Sequence, residues 1–315
     1  MPDEYVLAGD VGGTNLRIAA VAPAGIILHQ VNALTPKTGV AADVVDGIVR
    51  AAELCISSME NPGRPAGFGL ALAALVDSAD GRIQSSPNLP ELNALPLAET
   101  ISNNLKLSVV LENDATAAAI GEHWLGSSQG ARNSVFATLG TGVGGGLILN
   151  GKPYRGIDGT AGEIGHICVE PKGLLCGCGS RGCVEQYASA TAVVRIAREL
   201  LESDPGSSLS GNSNLTSKAI YEAAVGGDLV ALDTFRIMGR YLGIAFADLV
   251  DVLNPELIVV GGGAAGAWDF FIDHVRAEIR GRAFKHPADR VQLVRAKLGD
   301  TAGILGAARV AFGHI

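Results

Sequence analysis

Apolar residues fall along this chain in short runs that end in glycine, alternating with longer stretches in which they recur three and four apart. The first pattern predicts buried strands and the second predicts helices with one apolar face. YVLAGDVGG, LRIAAVAP and GIILHQV predict three consecutive strands joined by tight turns, and AADVVDGIVRAAELCISSME predicts a helix. FGLALAALVD reads as a strand, LPLAETISNNLK as a helix, and KLSVVLEND as a strand with a polar tip. From Ala115 the chain turns helical again. Strands that alternate with helices in this way define an α/β fold with largely buried sheets.

A second set begins near Arg132. NSVFATLGTGVGGGLILNGKPYRG reads as strand, glycine turn and strand, with Asn150-Gly151 a two-residue hairpin signal. Its layout echoes the opening of the chain, which suggests two related halves. Glu202 to Asn214 is rich in Ser, Gly and Asn and reads as an exposed loop between helices. GRYLGIAFADLVDVLNP is a helix stopped by Pro255, and ELIVVGGG is a buried strand running into a glycine turn. TAGILGAARVAF is a final helix, apolar enough to pack back across the molecule. With 315 residues the chain has room for two cores. We place a first α/β domain over residues 1–114, completed by the helix at 301–315, and a larger one over 115–300.

Composition narrows the function. A formal net charge of -8, with no basic stripe, gives no electrostatic footprint for nucleic acid. MPDEYVLAGD has neither the basic start nor the apolar run of a signal peptide, and no uncharged apolar stretch is long enough to span a membrane. A cytoplasmic protein is expected. Disulfides are rare in that compartment, so clustered cysteines point to metal or catalysis. Cys55 and Cys168, in apolar surroundings, are expected to be inert core residues.

Three strand ends carry glycines that allow close approach to a phosphate or nucleotide: DVGGTNLR at 10–17, LGTGVGGG at 139–146 and VVGGGAA at 259–265. The nucleotide-binding candidates are Gly12, Gly13, Gly140, Thr141, Gly142, Gly261, Gly262 and Gly263. Gly140, Gly142 and Gly145 satisfy G-x-G-x-x-G, but a strand follows where a Rossmann fingerprint needs a helix. No Walker A lysine follows any of the turns. One glycine turn alone is usually only a turn; three at strand tips favour a ligand. Asp10 is placed to hold the hydrated Mg2+ that accompanies ATP, Thr14 to donate to a phosphate and Arg17 to neutralise its charge. The plain alternative is that Asp10 caps its own turn and Arg17 is solvated.

Glu112, Asn113 and Asp114 stand between a strand and an alanine-rich helix, where Asn and Asp are ordinary N-caps. One of the pair can cap while the other serves chemistry. A carboxylate at such a tip is where a base for a hydroxyl nucleophile would sit, and Asp114 is the candidate. Further on, His166, Cys176, Cys178 and Cys183 supply one nitrogen and three sulfurs, with Gly177, Gly179 and Gly182 permitting tight winding. Four such ligands suit a closed, tetrahedral, structural Zn2+ site. Three clustered thiols would leave one unpaired as disulfides, and the redox C-x-x-C spacing is absent. Glu163 and Glu185, close to this loop in sequence, would join His166 in a rigid patch of acceptors for a polyhydroxylated ligand. The alternative for both is a solvated surface charge.

Taken together, these motifs resemble those of the ROK family of bacterial sugar kinases and repressors. DVGGTNLR is similar to its first phosphate motif, LENDATAAAIGE to its catalytic segment, LGTGVGGGLILNGK to its second phosphate motif and NPELIVVGGG to its nucleoside turn. GTAGEIGHICVEP with CGCGSRGCVEQYASATA is similar to its sugar and zinc signature, so the resemblance covers essentially the whole chain. It implies an actin-like ATPase (ribonuclease H-like) fold of two α/β domains with an interdomain cleft. It also implies ATP-dependent phosphorylation of glucose, a homodimer, structural zinc and Mg2+ with ATP. Asp114 matches the base, and Asn88, Asn113, Asp114, Glu163, His166 and Glu185 match the hexose contacts. The role of Asn88, in SSPNLP, rests on the resemblance alone. Another hexose, such as N-acetylmannosamine, N-acetylglucosamine, mannose, allose or fructose, is the alternative substrate. A sugar-sensing transcriptional regulator is the alternative class, but the helix-turn-helix that those carry ahead of the phosphate motif has no room before residue 10. An actin-like filament or chaperone ATPase would have no use for the zinc loop.

Overall fold

The computed structural model describes residues 4–77 and 80–313. The chain divides into two compact units: residues 1–132, 146–162 and 296–315 form one, and residues 133–145 and 163–295 form the other.

The opening hairpins of the first unit are β1 (Val6–Val11), β2 (Asn15–Val21) and β3 (Ile27–Leu34), followed by α1 (Ala41–Ser57). Then come β4 (Phe68–Leu72), β5 (Leu75–Asp77), β6 (Arg82–Ser85), α2 (Leu97–Leu105), β7 (Val109–Asn113) and α3 (Asp114–Leu125). Its main sheet has the order β3-β2-β1-β4-β7. The first three strands are antiparallel, while β4 and β7 run parallel to β1. The sheet is covered on both faces. Leu7, Leu16, Ile18 and Leu70 pack with Val44 and Ile48 of α1 and Ile101 of α2. Val6, Ala8, Ala19 and Ala71 pack with Ala117 of α3 and with the last helix of the chain. Strands buried on both sides read as near-continuous apolar runs, which is why the three opening strands are legible in sequence.

FGLALAALVD, predicted as one strand, is two. The chain bends at Ala73 and Ala74, where the Ala74 N–H bonds the Leu72 carbonyl at 2.8 Å and the Ala73 N–H bonds Val11 at the end of β1 at 3.4 Å. β5 then leaves the main sheet to pair with β6.

The later elements are β8 (Ser134–Leu139), β9 (Val143–Leu149), β10 (Lys152–Pro153), α4 (Glu185–Ala188), α5 (Ala190–Leu201), α6 (Ser217–Val225), α7 (Leu229–Leu253), β11 (Leu257–Gly261), α8 (Trp268–Arg282), α9 (Lys285–Arg290), β12 (Gln292–Arg295) and α10 (Ala302–Ala311). The second sheet has the order β10-β9-β8-β11-β12, the same winding as the first, with β11 parallel to β8 and β12. The turn after β9 has positive φ at Asn150 and Gly151, 54° and 75°, as a two-residue hairpin requires. α7 begins well before the predicted helix, capped by Asp228, which accepts from Ala231 N at 3.1 Å. The same carboxylate accepts from Ser207 and Ser208, so the Ser-rich loop is tied down rather than loose. Burial alone would raise the Asp228 carboxyl, but these bonds outweigh it and hold the group down at about 2.

Cys55 is buried, but Cys168 is exposed. Cys168 lies on a short antiparallel bridge opposite Cys183; its neighbour Val169, rather than Cys168 itself, points inward. A cut at residue 114 also differs from the compact units, because α3 packs on α10 and both belong with the first sheet. The approach is backbone to backbone: a methyl group on Gly306 would overlap the Ala117 carbonyl, one on Gly121 the Ala302 carbonyl, and one on Gly69 of β4 the Ala307 carbonyl. The buried Glu122 completes the joint, accepting from Ser127 N at 2.6 Å and from Leu298 N at 2.7 Å.

Gly306→Ala is therefore expected to destabilise the protein by about 2–3 kcal/mol. Gly281→Ala in α8, where nothing lies within 4 Å of an added methyl, should be neutral or stabilising by up to about 1 kcal/mol. Thermal denaturation of both variants beside the parent checks the contrast, and equal midpoints would contradict it.

Candidate active site

Three parallel neighbours in the first sheet end side by side. β1 ends in Asp10 and Val11, β4 in Leu72, and β7 in Asn113. The carboxyl ends of adjacent parallel strands are where α/β sheets take ligands. After β1 the Gly12 N–H bonds the Asn15 carbonyl at 3.0 Å, closing the glycine turn. Thr35 anchors the turn from below, donating its hydroxyl to Gly12 O at 2.7 Å. Asp10 is paired with Arg17 at 2.8 Å, and Arg17 also donates to the Asp300 carbonyl at 3.1 Å. Burial raises the Asp10 carboxyl from its ordinary value, and Arg17 opposes the rise. So Arg17 is not merely solvated; it is the counter-ion of Asp10. Thr14 is exposed and accepts from Lys37 Nζ at 3.3 Å.

Asn88 lies against this turn. A methyl group on Gly13 would come within 2.9 Å of its Cβ, so the glycine makes room for the asparagine. Asn88 itself is exposed. At the end of β7, Asn113 is the N-cap of α3, its Oδ1 accepting from Thr116 N at 2.9 Å. Its Nδ2 donates to the Ala74 carbonyl at 3.1 Å, which fixes the amide in one orientation. Asp114 is the first helical residue, half-buried, with Oδ1 accepting from Ala115 N at 2.8 Å. Of the two, Asn113 takes the cap and Asp114 does not.

A feature that sequence inspection missed supports this tip. The buried Glu112 accepts from Arg155 Nη2 at 2.6 Å and Nε at 2.8 Å, and from Asn113 N at 3.2 Å. Burial raises its carboxyl, with Arg155 opposing. Nothing local announces the pair, because its members are 43 residues apart.

In the second unit the glycine turns after β8 and β11 lie on adjacent parallel strands, with Gly261 opposite Thr138. Gly262 has φ 84°, and a side chain there would strike the Leu139 backbone. Thr141 accepts at its carbonyl from the Thr191 hydroxyl at 2.8 Å, and Gly140 from Ala190 N at 2.8 Å, so the N-terminus of α5 braces the turn. Glu185 Oε2 accepts from Val143 N at 3.0 Å, and a methyl on Gly142 would overlap that oxygen. The turn and the carboxylate thus fit only as a pair.

Glu163 Oε2 lies 4.0 Å from His166 Nε2. Burial raises the Glu163 carboxyl; His166 opposes this and the nearby Glu185 adds to it. Glu185 is held by the Val143 N–H, whereas Glu163 remains exposed. The opposite ring nitrogen, Nδ1 of His166, lies 3.7 Å from Cys176 Sγ, and Cys178 and Cys183 Sγ are also 3.7 Å apart. All four donor atoms lie within 4.8 Å of one another. A tetrahedron with metal–sulfur bonds of about 2.3 Å has edges of about 3.7 Å, so the set is compatible with a structural zinc. Gly182 allows the winding, with φ 70° and no space for a side chain beside the Glu170 carbonyl.

The ROK family model matches residues 6–313 of the chain. The glucokinase of Halalkalibacterium halodurans is 36% identical over 312 residues, spanning 97% of this chain and 94% of its own. That of Streptomyces coelicolor is 37% identical over 313 residues, spanning 96% of each. A solved ROK family glucokinase from Streptomyces griseus, in complex with glucose and AMPPNP, superposes with a TM-score of 0.83 at 36% identity, covering 98% of this chain and 99% of that one.

The Glu112–Arg155 pair makes a pH-dependent forecast. A carboxyl raised by burial favours folding most below its ordinary value and loses that advantage as pH rises through its folded value. Arg155→Met removes the opposing charge and raises Glu112 further. The loss of stability relative to the parent should thus be small near pH 4 and grow to about 3–5 kcal/mol at pH 8. Denaturant titrations at the two pH values test this, and a pH-independent difference would refute it.

Proposed function

The chain belongs to the ROK family, and we propose that it catalyses ATP-dependent phosphorylation of glucose, moving the γ-phosphoryl group to the 6-hydroxyl. The observation that carries this is the near full-length similarity to two glucokinases at 36% and 37% identity. It is supported by a carboxylate at a strand tip, Asp114, next to an asparagine whose amide is already oriented. The fold is the actin-like α/β fold of the ROK structures.

In this reading Asp114 orients the 6-hydroxyl and accepts its proton late, since phosphoryl transfer needs mainly positioning and charge stabilisation. Asn88, Asn113, Glu163, His166 and Glu185 are the groups for sugar hydroxyls. With Nδ1 of His166 turned to the cysteines, Nε2 is the nitrogen that would face a sugar hydroxyl. Gly12, Gly13, Thr14 and Gly140 to Gly142 are the groups for the phosphates, and Gly261 to Gly263 for the nucleoside. Asp10 is the carboxylate for Mg2+, which would neutralise phosphate charge, and Arg17 opposes the effect of burial on Asp10 and holds it in place. His166, Cys176, Cys178 and Cys183 hold zinc as a structural ion, which fixes the ring of His166 and the approach of Glu163 and Glu185. Composition supports a cytoplasmic enzyme, the family resemblance supports a homodimer, and among the described residues no helix is long and apolar enough to cross a membrane.

A coupled ADP-release assay with Mg-ATP should give a clear rate with glucose and weaker rates with mannose, allose, fructose, N-acetylglucosamine and N-acetylmannosamine. Asp114→Ala should lose at least about a thousandfold in kcat while still binding glucose by calorimetry; near-normal turnover would reject Asp114 as the base. Elemental analysis should find one zinc per chain, and its removal by a chelator should raise the KM for glucose. Full sugar affinity in the stripped protein would contradict the role given to the metal loop.

A further inference from the structure

The bend that splits β4 from β5 leaves two adjacent carbonyls, Ala73 and Ala74, pointing away from the main ladder. The Ala74 carbonyl accepts from Asn113 Nδ2 at 3.1 Å. The Ala73 carbonyl accepts from the Ser86 hydroxyl, also at 3.1 Å. That hydroxyl in turn accepts from Leu89 N at 3.1 Å, closing a turn whose two inner residues are Pro87 and Asn88. The Ser86 N–H donates to Asn93 Oδ1 at 2.7 Å, so both polar groups that hold the turn are engaged. Ser86 is 3% exposed, whereas Asn88 at the tip is exposed and set against Gly13. The bend is also joined to the end of β1 through Ala73 N and Val11 O.

Both asparagines assigned to the sugar therefore hang from one two-residue bend, Asn113 directly and Asn88 through Ser86. We propose that Ser86 is a positioning residue for hexose recognition: its hydroxyl, clamped between the Ala73 carbonyl and the Leu89 N–H, sets the place of Asn88 relative to Asn113. This rests on the reading that Asn88 contacts the sugar. A hydroxyl is suited to the task because it donates and accepts at once. Removing it strands a part-buried acceptor and a buried donor, and the turn then relaxes to find other partners. Asn88 would lose its fixed position without losing its side chain. Sugar binding suffers alike in ground and transition states, so KM for glucose moves while kcat and the KM for ATP stay.

The experiment is a double-mutant cycle on the KM for glucose, with thermal midpoints recorded for every variant. Ser86→Ala should raise that KM by about tenfold, the loss of one well-placed buried hydrogen bond. Ser86→Thr, which keeps the hydroxyl, should restore most of the affinity. The Ser86→Ala/Asn88→Ala double variant should lie within about twofold of Asn88→Ala alone, because a positioner has nothing left to position. Multiplicative effects in the double variant would overturn the inference and leave Ser86 a general stabiliser. No effect of Asn88→Ala would instead overturn the sugar contact itself. Should Ser86→Ala fold poorly, Asn93→Ala removes only the acceptor for Ser86 N; it should raise the same KM by about threefold, and an unchanged KM counts against the proposal.

Discussion

The candidate site depends on how closely one helix lies on its surroundings. α10 touches β4 through Gly69 and α3 through Gly121 and Gly306, at distances where a single methyl group on any of them meets a carbonyl. A helix packed this closely has little freedom to slide, since interiors at crystal-like density transmit small displacements. α3 is held at its other end by the Glu122 carboxylate, which accepts the Leu298 N–H just ahead of α10. Asp114 is the first residue of α3, so the placing of the proposed base is set about two turns further along the helix, at Gly121 and Glu122. Larger side chains at these glycines would lift α3 and move the carboxylate with it. The Ala-rich sequence of α3 reflects that need for thinness more than helix propensity.

The metal-compatible cluster works by the same logic on a smaller scale. His166 and Cys183 mark the two ends of the loop, and the two glutamates stand just outside them. A closed four-ligand site has no position for a reacting water, so its contribution is rigidity. That rigidity reaches the proposed sugar contacts through the His166 ring, whose two nitrogens face the cysteines and Glu163, and reaches the glycine turn through Glu185 and Val143. The absent Cβ of Gly142 is what lets that last contact form. One residue thereby serves two motifs that sequence inspection treats separately.

Much of this was legible because it is local. Strand tips, glycine turns, the Asn150-Gly151 hairpin and the His/Cys spacing are fixed by residues close in sequence, where period and backbone freedom dictate the outcome. Asn113 and Asp114 were legible as a pair but not in their division of labour, since a cap is decided by which side chain meets Thr116 N. Other features were not legible at all. The bend at Ala73 lies inside an apolar run with no turn residue. Cys168 sits among apolar neighbours yet faces out, because a short antiparallel bridge alternates its side chains. Glu112 looked like one more polar tip residue and is in fact a buried ion-pair partner.

The sequence by itself determined the kinds of elements, their order, the repeated winding and the groups proposed to carry chemistry, because hydrophobic period, glycine placement and ligand spacing are properties of neighbours along the chain. The tertiary structure alone decided which carboxylates are solvated and which are held, where the compact units divide, and that Arg155 pairs with Glu112 and Ser86 with the bend at Ala73. Those outcomes depend on residues far apart in sequence competing for the same buried hydrogen bonds, and no local pattern records which of them wins.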